Sequence, residues 1–172
     1  MQSVNRISLI LLLLISSAAA QEKDNAEKAL YLIGASAAFS TIDYLGYNLS
    51  KNDQGTAPVS YRIIQGLLQA GITYFLYEKC GLPTSIAFNL IWWTFGNDFL
   101  YYGISELVPP GGQFEGRGTW GSFARQGGPG HAYWTPVGIL RGYQRGEKIP
   151  ANTMAAQAII GAVIGMSITI WL

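Results

Sequence analysis

Four stretches of this chain are each about as long as a bilayer is thick, mostly apolar, and closed off by turn residues. They run from about Ala29 to Leu49, Ser60 to Tyr77, Leu82 to Leu107 and Ala151 to Leu172. A helix needs about 20 apolar residues to cross a hydrocarbon core of about 30 Å. A chain carrying four such runs in 172 residues has little else with which to build a water-soluble core. Charged residues make up 12% of the sequence, about half of what soluble domains carry. The reading is an all-α polytopic membrane protein, a four-transmembrane-helix bundle preceded by a signal peptide.

The N-terminal residues fit that signal. Arg6 supplies a positive start, "ISLILLLLISS" a short apolar run, and Ala18 and Ala20 the small residues that a signal peptidase reads before Gln21. Residues 1–20 are therefore expected to be removed and 21–172 to form one membrane domain. The expected setting is a bacterial inner membrane, with the mature N-terminus outside.

The connections agree. "SKNDQGTAP" (Ser50–Pro58) is a polar turn, and in "EKCGLP" (Glu78–Pro83) Gly81 follows one helix while Pro83 starts the next. Asn152 is the expected N-cap of the last helix. The long glycine-rich loop 108–150 holds Arg117, Arg125, Arg141, Arg145 and Lys148 against Glu115 and Glu147. With residue 21 outside, this loop and Lys51 fall inside, as basic residues tend to. Lys23 and Lys28 on the outer segment run mildly against that. The same orientation puts the sequon at Asn48 inside, where it has no use.

Composition excludes several functions. A net charge of +1 gives no field for nucleic acid. One cysteine, Cys80, and one histidine, His131, rule out a disulfide framework, a thiolate cluster and any site built on several histidines. No metal site is expected, and nothing indicates a cofactor. "GQFEGRG" lacks the GK[ST] ending of a phosphate loop.

The polar residues within the apolar runs are patterned. At about 100° per residue, Ser36, Ser40, Asp43 and Tyr47 share a stripe on the first helix. Arg62, Gln65, Gly66, Gln69, Thr73 and Tyr77 do so on the second, and Thr94, Asn97, Asp98, Tyr101 and Ser105 on the third. Gln157, Gly161, Gly165 and Thr169 do so on the fourth. Phe88, Trp92, Phe95 and Phe99 form another arc, expected to face lipid. Polar groups are costly against hydrocarbon, so the stripes should share an interior. Small and hydroxylated members are read as packing residues.

Asp43, Arg62 and Asp98 should lie in the cytoplasmic half, Asp43 roughly 9 Å and Asp98 roughly 13 Å from the inner helix ends at 1.5 Å per residue. Two readings stand: an ion pair that fixes helix register, or a site for a proton, cation or lipid headgroup. In the second, Asp43 and Asp98 are the charged ligands, Arg62 tunes them, and Asn97, Tyr101 and Gln69 are neutral ligands.

Two further alternatives remain. One is an accessory subunit that pairs with a second membrane protein or with another copy of the chain, through the Gly161–Gly165 face and the aromatic arc. The other is a lipid-active enzyme with His131 as the catalytic candidate. For the loop, the favoured expectation is that Trp120, Phe123, Tyr133 and Trp134 rest at the bilayer interface.

Overall fold

A computed structural model of the chain describes residues 2–51, 57–107, 123–125, 127–128 and 136–172. Helix is the regular structure it holds, with no strand among the described residues. The elements are α1 (Gln2–Ser50), α2 (Val59–Cys80), α3 (Leu82–Trp93), α4 (Gly96–Ile104), a short α5 (Pro136–Arg141) and α6 (Ala151–Trp171). The all-α expectation holds. The first expected span is the second half of α1, a 49-residue helix.

Local chemistry sets the boundaries. α2 ends where Gly81 takes φ 85°, and its N–H closes the last turn onto the Tyr77 carbonyl. Leu82 and Pro83 then open α3, where the missing proline N–H costs nothing. α6 starts after Pro150 without a side-chain cap. Asn152, the expected cap, sits inside the first turn, and its Oδ1 accepts from the Thr153 N–H at 2.8 Å.

The third expected span is two helices. The Thr94 N–H returns to the Leu90 carbonyl at 3.0 Å, and the Phe95 N–H tightens onto Trp92 at 3.1 Å. Phe95 then turns left-handed, with φ 66° and ψ 18°. For an L-residue with a large side chain this conformation costs on the order of 1–2 kcal/mol. Gly96 follows because nothing larger fits: a Cβ there would lie 2.5 Å from Ile91 Cγ2 and 2.9 Å from the Ile91 carbonyl oxygen.

α6 holds this interruption in place. A Cβ on Gly161 would stand 1.7 Å from Thr94 Oγ1, and one on Gly165 would stand 3.1 Å from Ile91 Cγ1. The Gly161–Gly165 pair thus receives α3 of the same chain, and the expected partner surface there is an internal contact.

Two apolar clusters flank the contact. Leu32, Phe39, Leu76, Ala87, Phe88 and Ile91 pack in one. Phe95, Phe123, Ile149 and Met154 pack in the other. Two members of the aromatic arc expected to face lipid, Phe88 and Phe95, are completely buried. The exposed side of α3 is instead Leu82, Ile86 and Trp93. Phe123 is likewise a core residue, stacked on Tyr102 at 4.5 Å and 11°, and not an interfacial side chain. Gly128 N–H donates to the Ile149 carbonyl at 2.6 Å, tying this part of the loop to the start of α6. Trp120, Tyr133 and Trp134 lie outside the described residues.

One described helix, α6, is long and apolar enough to cross a membrane. α3 and α4, at 12 and 9 residues, are each too short alone. Gly161→Ala is expected to lower stability by about 1–3 kcal/mol through overpacking. Gly34→Ala, with open space around it, should be neutral or slightly stabilising. Thermal unfolding of both variants in detergent checks this; equal effects at the two sites would contradict the packing account.

Candidate functional site

Parts of the polar stripes meet at the end of the bundle formed by the last turns of α1, the first turns of α2, and α4, where Ser40 and Asn97 are buried. The Ser40 hydroxyl donates to the Asn97 carbonyl at 3.1 Å, joining α1 to the first turn of α4.

Asp43 sits one turn beyond Ser40. Its Oδ1 accepts a hydrogen bond from the Tyr61 hydroxyl and another from Gln65 Nε2 at 2.7 Å. Both donors are neutral. Arg62 is exposed; its guanidinium lies 5.3 Å from the centre of the Tyr61 ring and donates to Gln65 Oε1 at 3.1 Å. It makes no contact ion pair with Asp43. The ion pair formed among the described residues is Lys28–Asp24, on the surface of α1. Arg62 therefore reaches Asp43 through Gln65 and through space. Asp98, half-buried in the first turn of α4, is within electrostatic reach of both Asp43 and Arg62. The three charged residues singled out in the sequence do come together, but without the direct Arg62–Asp43 bridge.

Tyrosines wall this centre. Tyr44 and Tyr47 from α1 meet Tyr101 from α4 edge to face, at 5.1 Å and 6.2 Å. Tyr47 also meets Tyr61 at 6.1 Å. The Tyr101 hydroxyl accepts from Asn48 Nδ2 at 3.2 Å, and Lys51 Nζ donates to Asn48 Oδ1 at 2.7 Å. Asn48 is thus buried with both amide atoms in use, which removes the sequon from consideration. Burial holds the Lys51 ammonium below the ordinary lysine range.

Of the neutral ligands expected from the sequence, Asn97 and Tyr101 belong to this centre and Gln69 does not. Gln69 Nε2 donates to Asn89 Oδ1 at 3.0 Å, and Asn89 Nδ2 donates to Thr73 Oγ1 at 2.9 Å. This second polar group lines a groove of about 570 Å³ between α2 and α3. His131 lies outside the described residues. Tyr61 was missed from sequence; its only signal was its place beside Arg62 at the start of α2. Among the described residues no group of three or more His, Cys, Asp or Glu side chains gathers to hold a metal.

Comparison with family models, with curated proteins and with solved structures gave no match.

Tyr61→Phe removes one donor from a partly buried carboxylate and is expected to cost about 1–3 kcal/mol of stability. Arg62→Ala should cost less, since its side chain is exposed and screened by solvent. Chemical unfolding of the two variants compares them. A larger loss for Arg62→Ala would mean that the arginine, not the tyrosine, holds Asp43.

Proposed function

We propose that the chain is a polytopic membrane protein whose aspartate centre, in its cytoplasmic half, binds or moves a proton or small cation. Support for membrane placement comes from an inverted distribution of polarity. Ile33, Ile64, Leu67, Ile86, Ile160 and Val163, from four different helices, are exposed. Meanwhile Ser40, Asn97 and Gln157 are buried. A water-soluble fold arranges these the other way; in lipid the apolar exterior is satisfied and the polar groups must face inward. α3 and α4 would together make one interrupted span of about 34 Å at 1.5 Å per residue. Irregular backbone at such depth is tolerated where protein buries it.

The function rests on one observation: the Asp43 carboxylate is bound by a phenol and an amide, while the nearby guanidinium is engaged by that same amide. Arg62, held on the Tyr61 ring and on Gln65, makes no contact ion pair with Asp43. A proton or a small cation at Asp43 would meet the charge that no contact guanidinium meets among the described residues. Intramembrane carboxylates in such settings mark proton and ion pathways.

A structural reading has its own support, because Tyr61 and Gln65 brace α1 to α2 through Asp43. The two are separable. In proteoliposomes loaded with a pH-sensitive dye, the wild type is expected to dissipate a pH gradient faster than empty liposomes. Asp98→Asn should slow this by about tenfold or more while unfolding at a similar temperature, a factor of ten being about 1.4 kcal/mol. A wild type no faster than empty liposomes ends the transport form of the reading. An unaffected Asp98→Asn leaves the aspartates with structural work only.

A further inference from the structure

The basic residues that lead into α6 have no part in the aspartate centre, yet the structure gives them a defined shape. After α5, Gly142 turns left-handed with φ 71°. The Gly142 N–H returns to the Ile139 carbonyl at 3.1 Å, and the Tyr143 N–H to the Gly138 carbonyl at 3.0 Å. This pair of bonds is the Schellman ending of a helix. A second turn follows at Gly146, with φ 84°, where the Glu147 N–H returns to the Gln144 carbonyl at 3.0 Å. Tyr143 packs against the cluster of Phe95 and Met154, and Ile149 belongs to it. Segment 136–148 is therefore closed by its own hydrogen bonds and fastened to the bundle at the start of α6.

What it turns outward is apolar and basic together. Ile139 is 65% exposed and Leu140 86%. Arg141, Arg145 and Lys148 are exposed beside them. None of the three makes a contact ion pair among the described residues. The one acid of the segment, Glu147, is occupied: its Oε2 accepts from the Gln144 N–H at 2.8 Å.

We propose that segment 136–148 is an interfacial anchor for anionic phospholipid, with Ile139 and Leu140 among the acyl chains and Arg141, Arg145 and Lys148 on the headgroups. The inference rests on the membrane reading above and adds the class of lipid that this loop meets.

Place and charge select the partner. α6, the described helix long and apolar enough to cross a membrane, begins at Ala151. The segment just before it then lies where a spanning helix passes the headgroups. Exposed apolar side chains at that level are satisfied by the acyl boundary. Zwitterionic headgroups have no net charge to draw three cations. Anionic ones do, each Lys or Arg near the surface being worth roughly fivefold in affinity and three together about a hundredfold.

The test places a reporter on the exposed face of the full chain. In a Cys80→Ser background, Leu140→Cys carries an environment-sensitive fluorophore. The protein is reconstituted in vesicles of phosphatidylcholine alone, or of phosphatidylcholine mixed with phosphatidylglycerol. Emission is expected to shift to the blue, and to be quenched by lipids brominated high in the acyl chains, far more in the mixed vesicles. Raising the salt should shrink that difference, because exposed charges are screened. Changing Arg141, Arg145 and Lys148 together to Gln should abolish it, whereas Arg141→Lys with Arg145→Lys should keep it.

A reporter equally exposed to water in the two kinds of vesicle overturns the proposal. One equally buried in both assigns the face to another occupant, a second copy of the chain included, and overturns it too. So does a lipid difference that survives loss of the three charges. Flotation of the vesicles separates these results from failure of the membrane reading: a chain that floats with neither kind is not embedded, and the anchor falls with that reading.

Discussion

The contact between Gly161 and Thr94 is the constraint from which the rest of the arrangement follows. Thr94 Oγ1 turns back onto the Leu90 and Ile91 carbonyls, at 2.9 Å and 3.1 Å. That takes up part of the hydrogen-bonding capacity released where α3 ends. α6 can sit against this turn only because residue 161 has no side chain. The close approach then buries Phe95 in its left-handed conformation, and the surrounding packing offsets a backbone strain that an isolated peptide would relax. Gly96 completes the turn under Ile91. Remove the small residue on α6 and each of these positions loses its support.

The turn also re-aims what comes after it. An uninterrupted helix would carry the residues after Trp93 forward along the face set by α3. The break instead starts a new helix whose first turn delivers Asn97 to Ser40 and brings Asp98 within reach of Asp43. Its second turn sets Tyr101 against Tyr44 and Tyr47. Asp43 thus sits against a phenol and an amide rather than in contact with a guanidinium.

Much of this was legible in the sequence. The turn at Gly81–Pro83 was readable from its residue types, as was the apolar run of α6. The stripes on α1 and α6 were readable because an uninterrupted helix keeps a constant angle per residue, so Ser36, Ser40, Gln157, Gly161, Gly165 and Thr169 all fall inside as expected. The third span defeats the same arithmetic. "NLIWWTFGNDFLYYGISEL" has no proline and only two glycines before its end, so periodicity runs straight through Thr94 and Phe95. A left-handed phenylalanine has no local signature; it is chosen by tertiary packing. That single turn accounts for the burial of Phe95. Phe88 escapes the same logic, being buried against Leu32 and Phe39 from a part of α3 that is regular. Arg62 shows another limit. Charge alone predicts a salt bridge, but Tyr61, one residue before Arg62, and Gln65, three after it, supply hydrogen bonds to Asp43 in its place. His131 and the Gly130 before it lie outside the described residues.

Trp93, exposed at the end of α3, reports directly on whether the α3–α4 interruption lies within the bilayer. A variant retaining Trp93 as its single tryptophan, reconstituted in lipids brominated at graded depths, gives the measurement by fluorescence quenching. Bromines deep in the acyl chains are predicted to quench most strongly. Strongest quenching from bromines nearest the headgroups, or none from any depth, would contradict a polar centre built around a broken membrane helix.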